Sequence, residues 1–77
     1  MLYNLVMSSV RYRIREKRRE RGLRQRDVAE ALKIQPHNVS CWERGEYKPS
    51  GEHLAELCRV LGCLPSDLIV LEVSIGK

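Results

Sequence analysis

The sequence contains no phenylalanine, one tryptophan, three tyrosines and three prolines in 77 residues. A chain so poor in aromatics must fill its interior with aliphatic side chains. A chain so short also encloses no deep substrate cavity. The residue sets of catalysis are missing too: there is no serine with a supporting histidine and acid in a motif, no glycine-rich phosphate loop, and no pair of carboxylates with a cleft to hold them. An enzyme is therefore not expected. No stretch approaches the roughly 20 apolar residues that cross a bilayer, and residues 1–7 lack the positive segment of a secretory signal. The three cysteines, Cys41, Cys58 and Cys63, are odd in number and form no C-x-x-C pair. They predict no disulfide framework, which makes a reducing cytoplasm the expected setting. With His53 they match no common zinc spacing, and His37 has no helical neighbours that complete a site, so no metal or cofactor is expected.

Acidic residues are scarce where basic ones crowd. Residues 1–48 hold twelve Lys and Arg against six Asp and Glu, whereas residues 49–77 hold two against four. Nine of the fourteen cations fall between Arg11 and Arg26. A positive half joined to a weakly negative half suggests a polyanionic partner for the first half only.

Glycine and proline divide the middle of the chain. A first helix is expected after Ser8 or Ser9, either of which can cap it, running over residues 11–21 and ending at Gly22. Residues 24–32 read as a second helix, with Val28, Ala29 and Leu32 on one face. A third helix is expected over 36–44. Pro36 suits its first position, where a missing N–H costs nothing, and Val39 and Trp42 form its inward stripe. Trp42 stands alone and on that stripe, so it is read as core rather than as a stacking platform for single strands. Ser50 caps a fourth helix over 51–61, whose residues Leu54, Leu57, Cys58 and Leu61 recur at helical spacing. Residues 65–68 form a last helical turn. From 69 to 75 every odd position is apolar, and this period-two pattern reads as a strand. A lone strand is unstable in water. It needs a second copy of itself, the apolar segment 2–7, or another protein.

Two short helices joined tightly, the second of a size to enter a major groove about 12 Å wide, make a helix-turn-helix. The ordered landmarks sharpen this reading. Ile14 and Arg18 precede Gly22 and Leu23, followed by Gln25, Val28, Ala29, Ala31 and Leu32. Val39 then leads to Trp42, Glu43, Arg44 and Gly45, with Lys48, Pro49, Ser50, Leu61, Gly62 and Leu68 completing the set. Over residues 14–69 the chain resembles the phage repressor/Cro, or Xre-type, helix-turn-helix family. The resemblance implies an all-α, compact five-helix, lambda-repressor-like domain, with a short C-terminal β-strand as the addition. It divides the chain into an apolar segment 1–8, a DNA-binding domain 9–69, and a strand-like tail 69–77 suited to dimerisation.

The resemblance also implies roles at matching positions. Gln35, Pro36, His37, Asn38, Ser40 and Cys41 would face base edges. Gln25, Arg44 and Lys48 would bond phosphates, and Arg24, where the family usually has Ser or Thr, would add another such contact. Arg18 and Glu43 match a structural ion pair that fixes the third helix. Pro36 offers only apolar contact, for example to a thymine methyl. Lys33 stands where the family favours a small turn residue. Cys41 is expected to be exposed beneath arginines that lower its thiol pKa, which also raises a thiol-sensor reading.

The implied function is a sequence-specific regulator of transcription, most simply a repressor that binds a palindromic operator on double-stranded DNA as a homodimer. Two alternatives use the same residues. One is an antitoxin whose terminal strand engages a toxin, and the other is a restriction–modification controller.

Overall fold

The computed structural model describes residues 7–74. Five helices are packed together and extended by a two-stranded antiparallel ribbon: β1 (Met7–Tyr12), α1 (Ile14–Glu20), α2 (Gln25–Leu32), α3 (Pro36–Arg44), α4 (Gly51–Leu61), α5 (Pro65–Leu68) and β2 (Ile69–Ser74).

The chain opens differently from the sequence-based expectation. Ser8 and Ser9 lie in β1, and α1 begins at Ile14, with Arg13 in its N-cap position, rather than near residue 11. β2 supplies the physical reason. It pairs with β1 in the register Val10 to Leu71, Arg11 to Val70 and Tyr12 to Ile69, and the Arg13 N–H extends the ladder by donating to Leu68 O at 2.8 Å. Alternation of Val10 and Tyr12 with Ser9 and Arg11 suits a ribbon with one apolar face. The predicted C-terminal strand is therefore present over Ile69–Ser74, and its partner is in its own chain. That partner is the stretch from residue 7 onward. Residues 2–6 and Ile75, also considered for pairing or dimerisation, lie outside the described residues.

The other elements follow their local signals. At the start of α2 the Asp27 carboxylate accepts the Arg24 backbone N–H at 2.7 Å, so the third helical residue caps the helix instead of the first flanking one. Ser50 Oγ accepts the His53 N–H at 3.1 Å and starts α4. The turn from α2 to α3 is made by Lys33 itself, in the left-handed region at φ 61° and ψ 45°. The Ile34 N–H reaches back to Ala29 O at 2.9 Å, and Ile34 is tucked partly against the core. The usual economy of a glycine is absent, yet the turn is formed.

One core joins the helices. It contains Ile14 from α1, Val28, Ala29 and Leu32 from α2, Val39 and Trp42 from α3, Leu57, Cys58 and Leu61 from α4, and Leu68 from α5. Leu54 packs against its margin. With no phenylalanine available, Trp42 is the largest side chain in this core, and its ring lies 5.3 Å from that of His53. Burying such side chains stabilises the domain by about 1.5–3 kcal/mol each. The consequence for α3 is that its inner face is anchored while its N-terminal end stays at the surface.

Candidate nucleic-acid interface

α3 is positioned from behind by Val39 and Trp42, both buried. In front, Gln35, Pro36, His37 and Asn38 are exposed. Gln35 is the extended residue that precedes the helix, and Pro36 occupies its first turn. Ser40 is half-buried and accepts a hydrogen bond from the Arg44 guanidinium one turn later. These residues give the start of α3 a mixed set of donors, acceptors and one apolar surface, which is what base-edge recognition uses.

Cys41 does not belong to that surface. Its residue exposure is 2%. The expectation of an exposed, base-facing thiol is corrected by two long neighbours that fold across it: His37 Nε2 lies 3.4 Å and Arg44 Nη2 3.6 Å from Sγ. Its pKa is also displaced in the opposite sense from that expected. Burial and then Glu46 push the thiol upward, and Arg44 offsets them only partly. Helical spacing puts Cys41 beside His37 and Arg44, but spacing alone does not reveal that these side chains cover it.

Glu43 ties three helices together. Its side chain is fully shielded from solvent. It accepts Arg18 Nε at 2.7 Å and Nη2 at 3.0 Å, Gln25 Nε2 at 3.0 Å and Arg15 Nε at 3.2 Å. Arg18 also donates to Leu23 O at 3.1 Å. Burial alone would raise the Glu43 pKa, but the bonds from Arg18, Gln25 and Arg15 overcome it and hold the carboxyl below its ordinary value. The pairing of Arg18 with Glu43 expected from the sequence is thus present. Two further members were not anticipated: Arg15, and the Gln25 amide, read only as a phosphate contact. No signal within α1 distinguishes Arg15 from Arg19, because the acid that selects it is 28 positions away.

The cations assigned to phosphate binding lie at the start of α2, at the end of α3 and on the loop that follows it. Arg24 is exposed and forks onto Asp27, with Nε at 3.1 Å and Nη2 at 3.2 Å from its carboxylate oxygens. Arg44 similarly forks onto Glu46, at 2.8 and 3.1 Å. Lys48 and Tyr47 are exposed on the loop after α3, Tyr47 at 66%. Among the described residues, no group of three His, Cys, Asp or Glu side chains is placed to hold a metal ion, and no helix is long and apolar enough to cross a membrane.

Comparisons with known proteins agree with this geometry. The family model HTH_3, described as helix-turn-helix, matches residues 14–68. The HTH-type transcriptional regulator DicA of Escherichia coli K12 is 46% identical over 57 residues, covering 74% of this chain and 42% of DicA. The P22 c2 repressor, solved in complex with a synthetic operator, superposes at a TM-score of 0.67 with 35% identity, covering 70% of this chain and 82% of that one. The fold recurs in a Bacteroides fragilis protein at a TM-score of 0.76 and 24% identity, covering 80% of this chain and 100% of that one. The chain spans less than half the length of the curated regulators it matches. It belongs to the HTH_3 helix-turn-helix family, of the Xre type, and carries the DNA-binding fold of transcriptional regulators.

Proposed function

We propose that this chain is a sequence-specific repressor that binds a palindromic operator as a homodimer, inserting α3 into the major groove of double-stranded DNA. The observation that carries the reading is the division of α3. Val39 and Trp42 are buried, while Gln35, Pro36, His37 and Asn38 are exposed at its leading end. In this reading Gln35, His37 and Asn38 read base edges by hydrogen bonding, Ser40 contributes beside them, and Pro36 contacts a thymine methyl. Arg24, Gln25, Arg44 and Lys48 hold phosphates and set the docking angle. Cys41 is not a base contact, because its thiol lies beneath His37 and Arg44. The chain acts by binding, in the cytoplasm, and not by catalysis.

Dimerisation follows from the limits of one small module, whose few base contacts give weak discrimination until a second module reads a two-fold related half-site. The ribbon offers the contact surface. Leu71 is 64% exposed and shares an apolar face with Val10, its cross-strand partner. The β1–β2 ladder gives the terminal strand a partner in its own chain, so its stability alone does not call for a toxin.

Selection of bound duplexes from a random pool tests the proposal. A two-fold symmetric consensus is expected. Replacing Gln35, His37 and Asn38 by alanine should leave the domain folded and still bound to DNA but indifferent to that consensus. Retention of the preference by the triple variant would overturn the reading.

A further inference from the structure

The family match starts at Ile14, so β1 and Arg13 precede it. This added segment is strongly basic and lies against the interface. Arg11, Arg13 and Arg15 line a cleft of about 280 Å³ together with Glu16 and Glu43. Arg11 also lines a second cleft, of about 110 Å³, which Arg44, Tyr47 and Lys48 share. The end of β1 is thus common to both clefts, and its Arg11 joins the cations of the α1 side to those that follow α3.

The carboxylates that line the first cleft leave Arg13 and Arg15 with about half of each side chain in solvent. Glu16 stands 4.0 Å from Arg13, and both are about half-exposed or more. Glu43 is already held by Arg18 from below. Arg15 engages Glu43 only through Nε and keeps 49% of its side chain in solvent. Gln25 and Arg15 donate to the same Glu43 oxygen, at 3.0 and 3.2 Å. An anionic oxygen that reaches Gln25 therefore arrives beside the Arg15 guanidinium.

We propose that the end of β1 and the first turn of α1 form an additional backbone-binding element, in which Arg11, Arg13 and Arg15 take phosphates of the same duplex whose groove α3 enters. The inference rests on the DNA-binding reading above and extends it past the start of the family match to Arg11 and Arg13, with Arg15 just inside that match. Double-stranded DNA presents one negative charge per about 1.7 Å of its axis, so a track of guanidinium groups finds several partners along one strand. The planar fork of arginine fits phosphate oxygens in pairs. Such contacts raise affinity and fix register without choosing sequence.

Binding of the full chain to its pool-selected duplex and to a scrambled duplex tests this, measured by fluorescence anisotropy between 50 and 200 mM KCl. The variants are R11Q/R13Q, R15Q, their combination, and R15K, each checked by thermal unfolding. Each lost contact should lower the salt slope by about 0.9, and a homodimer loses each contact twice, so the triple variant's slope should fall by about 5.4 and it should lose about 2,000-fold less affinity across that salt range than the parent does. Both duplexes should weaken alike, and R15K should keep the parent slope. R11Q/R13Q touches none of the hydrogen bonds to Glu43 and carries the test alone if R15Q lowers stability; its slope should fall by about 3.6. Slopes equal to the parent's in R11Q/R13Q and the triple variant, with the parent still choosing its duplex, overturn this inference alone. A parent that neither prefers a duplex nor responds to salt overturns the DNA-binding reading beneath it.

Discussion

Arg18 grips Glu43 through two parallel hydrogen bonds, Nε to Oε2 at 2.7 Å and Nη2 to Oε1 at 3.0 Å, joining α1 to the last turn of α3 where the carboxylate has no access to water. Removing one partner of such a pair leaves a buried charge exposed to an apolar surrounding. Arg18→Ala should cost about 3 kcal/mol, the lower end for a broken buried pair, because Arg15 and Gln25 remain on the carboxylate. Urea unfolding measures this directly. A loss under about 1 kcal/mol would show that the pair does not hold α3 in place.

Acid should expose the same tie. The Glu43 carboxyl is held below its ordinary value, so its contribution is present above the unfolded-state pKa of about 4.3 and is lost as pH falls through the lower, folded-state value. Stability should decline below about pH 4.5. Glu43→Gln should be less stable at neutral pH and show a flatter decline, since the titrating group is gone. Asp27 and Glu46, lowered chiefly by Arg24 and Arg44, add slope in the same window and remain in the variant. The difference between the two pH profiles therefore isolates Glu43. Parallel profiles would refute its role.

Lys33 sits in the left-handed region with no glycine to relieve it. A residue with a Cβ pays about 1–2 kcal/mol there, partly offset by the extra freedom that glycine gives the unfolded chain. Lys33→Gly should therefore raise stability by up to about 1 kcal/mol with an unchanged denaturant slope. A destabilised glycine variant would mean that the Lys33 side chain makes contacts that outweigh its backbone strain.

The contrast between what could and could not be read follows the range of the interactions. α3 and α4 were legible because each carries its own boundary residues and apolar stripe, Pro36 and Gly45 for α3 and Ser50 and Gly62 for α4, while α2 was marked by its stripe of Val28, Ala29 and Leu32. The outward residues Gln35, His37 and Asn38 followed from the same helical angle that puts Val39 and Trp42 inside. β1 was hidden because its hydrogen-bond partners come from residues 69–74, far along the chain, while the run of arginines after it reads locally as helix. Arg15 and the cover over Cys41 were hidden for a related reason. Both depend on where a long, flexible side chain comes to rest, and periodicity fixes only where it departs.

Cys41 offers a kinetic check on that cover. Its thiol is buried and its pKa is raised, so little thiolate is present at neutral pH. In the folded chain Cys41 should react with a thiol reagent much more slowly than in urea, and a mild oxidant should leave duplex binding unchanged. His37→Ala removes the ring 3.4 Å from Sγ and should speed labelling of Cys41 by several-fold. Rapid labelling of Cys41 in the parent would mean that His37 and Arg44 do not shield it, and oxidant-sensitive binding would revive a thiol-sensor role.

The ribbon separates dimerisation from folding. Leu71 is 64% exposed and absent from the core, so Leu71→Glu should cost little stability in the monomer. If two copies meet through this apolar face, the substitution places two like charges in the contact and should convert dimers to monomers in sedimentation experiments. The monomer should still bind a single half-site, at lower affinity, and should lose its advantage for the full palindrome over a half-site duplex. Removing residues 69–77 is a harsher version of the test, because it also takes away the ladder that holds β1. A Leu71→Glu variant that stays dimeric and still favours the palindrome would place the two-fold contact elsewhere on the domain.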